Sequence, residues 1–327
     1  MESQLENEEN EIPEDSGHMK DSLDCESYER KGPMENGGPG DSSGCVDEGK
    51  RMAISGQSRK LDKKRFCVLT AGMIWFVLGS SDLSDLFYIN GADSRDYMAA
   101  GLACLMMLIY IVPIGILMKW LAKKYSVSRN LLLLAIGCGI LMLGPVAGDV
   151  NDAMDQFLKS VHAGGAASWI DSLEVGFAEE LIKLLVAAMI LYVLKKRTFI
   201  SWLMTGMSVG LGFQINEDIS DIVPVKVKDM SHVFPDAFDR VSVSAASHWA
   251  YTALTAAGLW MVIYGKGRRR KAGFGLIFFV IANHFLFDSD FGSTNLGFAV
   301  ISASLLLVLV YVLRTYRINT KSVGSCV

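Results

Sequence analysis

Six cysteines are present, but no two form a C-x-x-C pair: Cys25, Cys45, Cys67, Cys104, Cys138 and Cys326 stand alone. That spacing excludes a disulfide framework or a cysteine zinc site as the organising element. No basic surface of the kind nucleic acid requires is found; the net charge is -4, with much of the acid in the first fifty residues. The helical H-E-x-x-H pattern of many zinc hydrolases is missing. The first residues are acidic and without an apolar core, so the chain does not begin with a signal peptide. No internal repeat stands out.

What is abundant is apolar sequence. Half of the residues are hydrophobic (51%), and the mean hydropathy is +0.31. Runs of about 20 apolar residues, each long enough for a hydrocarbon core of about 30 Å, recur along the chain. We expect helical spans over 66–88, 98–121, 130–148, 173–194, 199–219, 243–264, 273–288 and 296–313. Lys and Arg crowd alternate loops: Lys60 to Arg65, Lys119 to Arg129, Lys195 to Arg197, Lys266 to Lys271, and Arg314 to Lys321. The intervening loops are acidic or nearly so. Positive charge stays on the cytoplasmic side, so eight spans with both termini inside satisfy every loop.

The expected fold is therefore all-α, a polytopic membrane helix bundle of about eight transmembrane helices with both termini cytoplasmic. Residues 1–60 are rich in Glu, Asp, Gly and Ser and too poor in large apolar groups to offset their ordering entropy; they read as a disordered acidic tail. The transmembrane domain takes 61–318, with a catalytic core over 173–289, and 319–327 form a short cytoplasmic tail.

The stretch 173–194, LEVGFAEELIKLLVAAMILYVL, holds Glu179, Glu180 and Lys183. A charge at membrane depth costs roughly 2.5–3.5 kcal/mol on insertion scales and reads by default as functional. Entering from outside, the two glutamates lie about six residues in, roughly 9 Å at 1.5 Å per residue. Glu217, His248 and His284 fall at the same depth on the next three spans. Any one of them alone reads as an interfacial or packing residue. Together they describe one water-filled pocket open to the extracytoplasmic side.

Spacing within each helix adds detail. Glu179 and Lys183 share a face and can pair, with Lys183 as counter-charge, while Glu180 is turned about 100° away. Asp288 is one turn from His284 and Thr252 one turn from His248, where each can orient an imidazole. Gly206, Gly210 and Gly212 allow close helix approach. Asp218 and Asp221 are expected at the aqueous boundary, solvated. His18, His162 and His232 are given no role.

Two chemistries fit this set. In one, a glutamate acts as general base on water while the histidines position it and stabilise the oxyanion. In the other, Glu180, Glu217, His248 and His284 hold a divalent metal such as zinc, which acidifies its bound water. The first, without a cofactor, is preferred; zinc is the alternative. A proton- or cation-coupled transporter is the rival class, but it calls for a polar trail through both leaflets, and the inner halves of these spans are almost purely apolar.

The same residues resemble a known family. Glu179-Glu180-Leu181-Ile182-Lys183 matches its E-E-x-x-K motif, and GLGFQINEDI over 210–219 is similar to its G-L-G-F-A-x-x-E-N segment, with Phe213 and Glu217 in place. SHWAYTALTAAG over 247–258 resembles its H-A-x-x-T-x-x-x-G helix, and NHFLFD over 283–288 its last histidine motif. This is the PrsW family of intramembrane proteases, distantly similar to the CAAX prenyl protease and bacteriocin-processing superfamily. The resemblance covers about 173–289. Gln214 and Asp218 replace the commoner Ala and Asn, and Asp288 stands where an amide is common, which bears on any oxyanion role. The resemblance implies a multi-pass protease of the bacterial cytoplasmic membrane. Its partners would be the lipid bilayer and a single-span membrane substrate of the anti-sigma-factor type, with no nucleic acid. By carry-over, Glu179 and Glu180 supply the base and its partner, Glu217 and His248 complete the water or metal site, and His284 orients or polarises. Lys183, Phe213, Thr252 and Asp288 support them.

Overall fold

The computed structural model describes residues 62–85, 93–161, 167–226 and 233–324. The acidic stretch 1–60, the expected end of the first span at residue 88, and His18, His162 and His232 lie outside the described residues. Among those described, the secondary structure is helical, with no strand. In order the helices are α1 (Lys63–Asp85), α2 (Ser94–Cys104), α3 (Leu108–Tyr125), α4 (Arg129–Met142), α5 (Gly144–Ser160), α6 (Ala167–Val193), α7 (Phe199–Lys226), α8 (Val233–Val243), α9 (His248–Tyr264), α10 (Arg268–Phe287) and α11 (Asn295–Gly324).

Each expected span has a helix at its place, with informative differences. The second is α2 and α3 joined through one 3-10 turn, Leu105–Met107. Asp93 caps its start in a reciprocal capping box with Asp96. The third stops at Met142, six residues short of the expected end, because Gly144 and Pro145 begin a new helix. Pro in a first helical turn removes no intrahelical bond. Asn216 of α7 donates to the Ile140 carbonyl at 2.8 Å, near the C-terminal end of α4, where carbonyls lack intrahelical partners. The sixth span begins at His248 rather than residue 243, behind a 3-10 turn over Ser244–Ala246. Helices α5 and α8 were expected as loops; both are short and amphipathic, with polar and apolar residues at helical spacing.

Among the described residues, four helical stretches are long and apolar enough to cross a membrane: Ser94–Tyr125, Arg129–Ser160, Arg268–Phe287 and Asn295–Thr315. Helices α6, α7 and α9 are not among these. The first holds three charges in its apolar stretch, the second is diluted by Gly, Ser, Gln and Asn, and the third has 17 residues. Those three, with α10, build the centre.

Helix α7 runs through that centre, and its glycines set how close the neighbours come. A Cβ at Gly206 would strike the Thr252 carbonyl of α9, and one at Gly210 the His248 carbonyl. A Cβ at Gly212 would strike the Ile136 carbonyl of α4, whose own Gly139 is directly opposite. The small-residue pattern is thus split between two partners. On the far side, Gly176 of α6 lies against the backbone at His284 and Phe285 of α10.

Candidate active site

The five ionisable residues singled out by sequence come together. Glu179, Glu180, His248 and His284 are each at most 5% exposed, and the Glu217 side chain is 29% exposed. The hub is Lys183, which is fully buried. Its ammonium donates to Glu179 Oε2 at 2.9 Å, to Glu180 Oε1 at 3.2 Å and to His248 Nδ1 at 2.8 Å. The Phe213 ring closes its remaining side, with the nitrogen 3.9 Å from the ring centre. The i,i+4 pairing to Glu179 and the role of counter-charge to the glutamates were foreseen; the contact to His248 was not.

An ammonium only donates, so Nδ1 of His248 is the acceptor and its proton sits on Nε2. That nitrogen is 2.7 Å from Glu217 Oε2. Both nitrogens of His284 face carboxylates: Nδ1 is 3.5 Å from Glu180 Oε1, and Nε2 is 3.4 Å from Asp288 Oδ2 and 3.9 Å from Glu179 Oε2. Its ring stacks on Tyr251 at 4.7 Å. Tyr251 in turn donates to Asn283, which donates to Ser304 of α11.

The two adjacent glutamates have different surroundings. Glu180 accepts from Thr255 at 3.1 Å and Thr252 at 3.4 Å besides Lys183, and is enclosed on all sides. Thr252 was expected to orient His248, its neighbour one turn away; its hydroxyl reaches across to α6 instead. Glu179 is reached by Asn151 of α5 at 3.4 Å and lines a small cleft with Glu217, Arg240, His248, His284 and Asp288.

Asp218 corrects the sequence expectation. It is fully buried, and accepts from Tyr110 of α3 at 2.6 Å, from Arg240 of α8 at 2.7 Å and from Ser244. Asp221 is half exposed at 54%, as expected, and also meets Arg240. Burial alone would lower the pKa of the Arg240 guanidinium, but the carboxylates of Glu217, Asp221 and Asp218 more than offset it and raise it. Gln214 holds the turn before α9, donating to the Ser244 carbonyl and accepting from Ser247. Sequence reading missed Asn151, Arg240 and Tyr110, and named Gln214 only as a departure from the commoner Ala. Only Arg240 had a signal: Phe234, Ala237, Phe238 and Val241 recur at helical spacing around it.

Glu179, His248 and His284 could hold a metal, since a ligand atom from each lies within 4.8 Å of the others. The carboxylate in that group is Glu179, whereas the sequence expectation named Glu180 and Glu217 with the two histidines. Two histidines and one glutamate are an established catalytic zinc set, so the donors fit in kind and number. Lys183, however, already engages Glu179 Oε2 and His248 Nδ1.

A sequence model described as PrsW family intramembrane metalloprotease matches residues 127–315. That range begins just before α4, ends within α11 and contains every residue of the cluster. Neither a curated relative nor a solved structure matches. The family match covers more than half of the chain and all of its buried polar centre, and the chain therefore belongs to the PrsW family of intramembrane proteases.

Proposed function

We propose that this protein is an intramembrane endopeptidase that cleaves single-span, membrane-anchored proteins near the extracytoplasmic face, with water activated by Glu179. One observation supports this choice of base: of the two adjacent carboxylates, Glu179 faces the cleft and both histidines, while Glu180 is sealed behind by Lys183, Thr252 and Thr255. A base must reach the water it deprotonates. Glu179 takes a proton from water as the hydroxyl adds to the scissile carbonyl, then returns it to the departing amine. His284, whose Nε2 is on the side of Glu179 and Asp288 in the cleft, donates from that nitrogen to stabilise the oxyanion. His248, fixed by Lys183 on one nitrogen and facing Glu217 with the other, forms the opposite wall. Lys183 offsets the charge of the buried glutamates.

The loop charges support eight crossings with both termini in the cytoplasm, in the cytoplasmic membrane of a bacterium. In that topology the cleft opens outward, which suits substrates of the anti-sigma-factor type, cut at their extracytoplasmic juxtamembrane region. Zinc dependence is the second reading, favoured by the compact Glu179, His248 and His284 group and by the family description. Those three residues would hold the ion, and zinc would supply a Lewis acid that lowers the pKa of a bound water. The lone pairs engaged by Lys183 weigh toward the metal-free route.

The test is cleavage of a panel of single-span reporters by purified protein, wild type against Glu179→Gln, with and without a strong chelator. The glutamate route expects activity that is lost in the variant and indifferent to chelation. Loss on chelation with recovery on added zinc would select the metal route. A variant that cuts as well as wild type would remove Glu179 from the chemistry.

A further inference from the structure

We infer that Arg240 is a positioning residue of this site: seated on α8, it holds the Glu217 carboxylate against His248 Nε2, so that docking of α8 completes the cluster. The inference rests on the hydrolytic reading above. Glu217 Oε2 lies 2.7 Å from His248 Nε2 and 2.8 Å from Arg240 Nη2. Two nitrogens from different helices therefore lie at ion-pair distance from one oxygen, without hydrogen-bond geometry to it, on a side chain that is otherwise partly open to the cleft.

The guanidinium is itself anchored. Its Nε lies 2.7 Å from Asp218 Oδ1 and 3.1 Å from Asp221 Oδ2. Asp218 is pinned from behind by the Tyr110 hydroxyl and by Ser244. One edge of the fork thus grips a fully buried carboxylate, and the other is left pointing at Glu217. A lysine could supply the charge but not both contacts in fixed relation. The backbone gives the arrangement its reach: Ala237 and Val241 bury one side of α8, and the turn that follows leads directly into His248. Ser244 in that turn and Arg240 both line the cleft. Helix α8 is accordingly a wall of the site, joined to it through Arg240.

The consequence concerns His248. Lys183 fixes its Nδ1 as an acceptor, and Arg240, through Glu217, fixes what its Nε2 meets. Without the guanidinium, Glu217 is free to turn toward water, and the imidazole keeps a partner on one side only. Misplacement of a catalytic wall by about 1 Å is enough to cost about 10²-fold in rate. The effect belongs in kcat rather than in substrate binding.

The experiment uses the full-length protein in lipid nanodiscs with 15N-labelled histidine, of which there are five in the chain; loss of a signal in His248→Gln assigns it. In wild type, His248 is expected as the Nε2-protonated tautomer with a slowly exchanging proton. Arg240→Gln is expected to shift that signal and speed its exchange, with the His284 signal unmoved. On any reporter that wild type cleaves, kcat should fall about 10²-fold with KM little changed. Glu217→Gln should already take most of that loss, so the double variant falls little further, a non-additivity that plain destabilisation does not produce. An unchanged His248 signal in Arg240→Gln overturns the inference, as do fully additive losses. Should Arg240→Gln fail to fold, Arg240→Lys makes the same comparison, and an unchanged His248 signal there is equally decisive. If no reporter is cut, the spectrum alone decides. If Glu179→Gln cleaves like wild type, the hydrolytic reading falls, and the spectrum still reports on Arg240.

Discussion

Every residue of α7 from Phe199 to Gln214 is buried, as is every residue of α9 from His248 to Gly258. In the most apolar windows of Ser94–Tyr125 and Asn295–Thr315 only 28% of residues are buried. The two regions use opposite compositions for opposite surroundings. The outer helices face lipid, so long aliphatic side chains suffice and almost any apolar residue serves. The central pair faces only protein, and there it needs small residues for approach and polar residues that find partners. Hydropathy finds the first kind of helix and overlooks the second. The chemistry sits with the second.

The largest expected effect breaks that comparison at its chemical centre. Glu179→Gln keeps the size of the side chain and one acceptor oxygen but removes the base, and should cost about 10²–10⁴-fold in turnover. Rates on a cleaved reporter, with thermal unfolding alongside, read this directly. A fold that stays intact while turnover collapses places the effect in the chemistry; unfolding in step with the rate would place it in packing.

Next comes stability. Lys183→Met fits the apolar stretch of α6 better by hydropathy, yet it strands Glu179 and Glu180 without their cation. Removing one partner of a buried pair costs about 3–5 kcal/mol, read as a shift in the detergent-unfolding midpoint. The same change at exposed Lys119 of α3, where no buried carboxylate depends on it, is expected to fall within about 0.5 kcal/mol. If Lys183→Met were neutral, the central region would not be the electrostatic unit described here.

Much of this centre was legible in the sequence because charge is scarce at membrane depth. Glu179, Glu180, Glu217, His248 and His284 stood out from their apolar surroundings, and their helices do bring them together. What spacing could not supply was the partner on another helix. Thr252 is one turn from His248, yet its hydroxyl goes to Glu180; Asp218 sits near a helix end, yet Tyr110 and Arg240 draw it inside. Same-helix periodicity fixes faces, and tertiary contact decides what each face meets. Helices α5 and α8 escaped for a different reason. At 17 and 11 residues with mixed polarity, they match neither a span nor a plain loop.

The smallest expected effects sharpen the comparison most, because they set one residue type against itself. At Gly210 the atoms met by an added Cβ are the His248 carbonyl and the Thr252 hydroxyl, backbone and side chain of a helix that cannot retreat from its other neighbours. Gly210→Ala should therefore lose about 1–3 kcal/mol by overpacking and move His248, so turnover falls with stability. Gly115 of α3 has nothing within 4 Å of the same added atom. There the substitution only removes backbone freedom from the unfolded chain and improves helix propensity, for a gain of up to about 1 kcal/mol. Unfolding midpoints of the two variants should lie on opposite sides of wild type. A common sign would mean that α7 yields as readily as a lipid-facing helix, and the central pair would then lose its claim to hold the cluster in register.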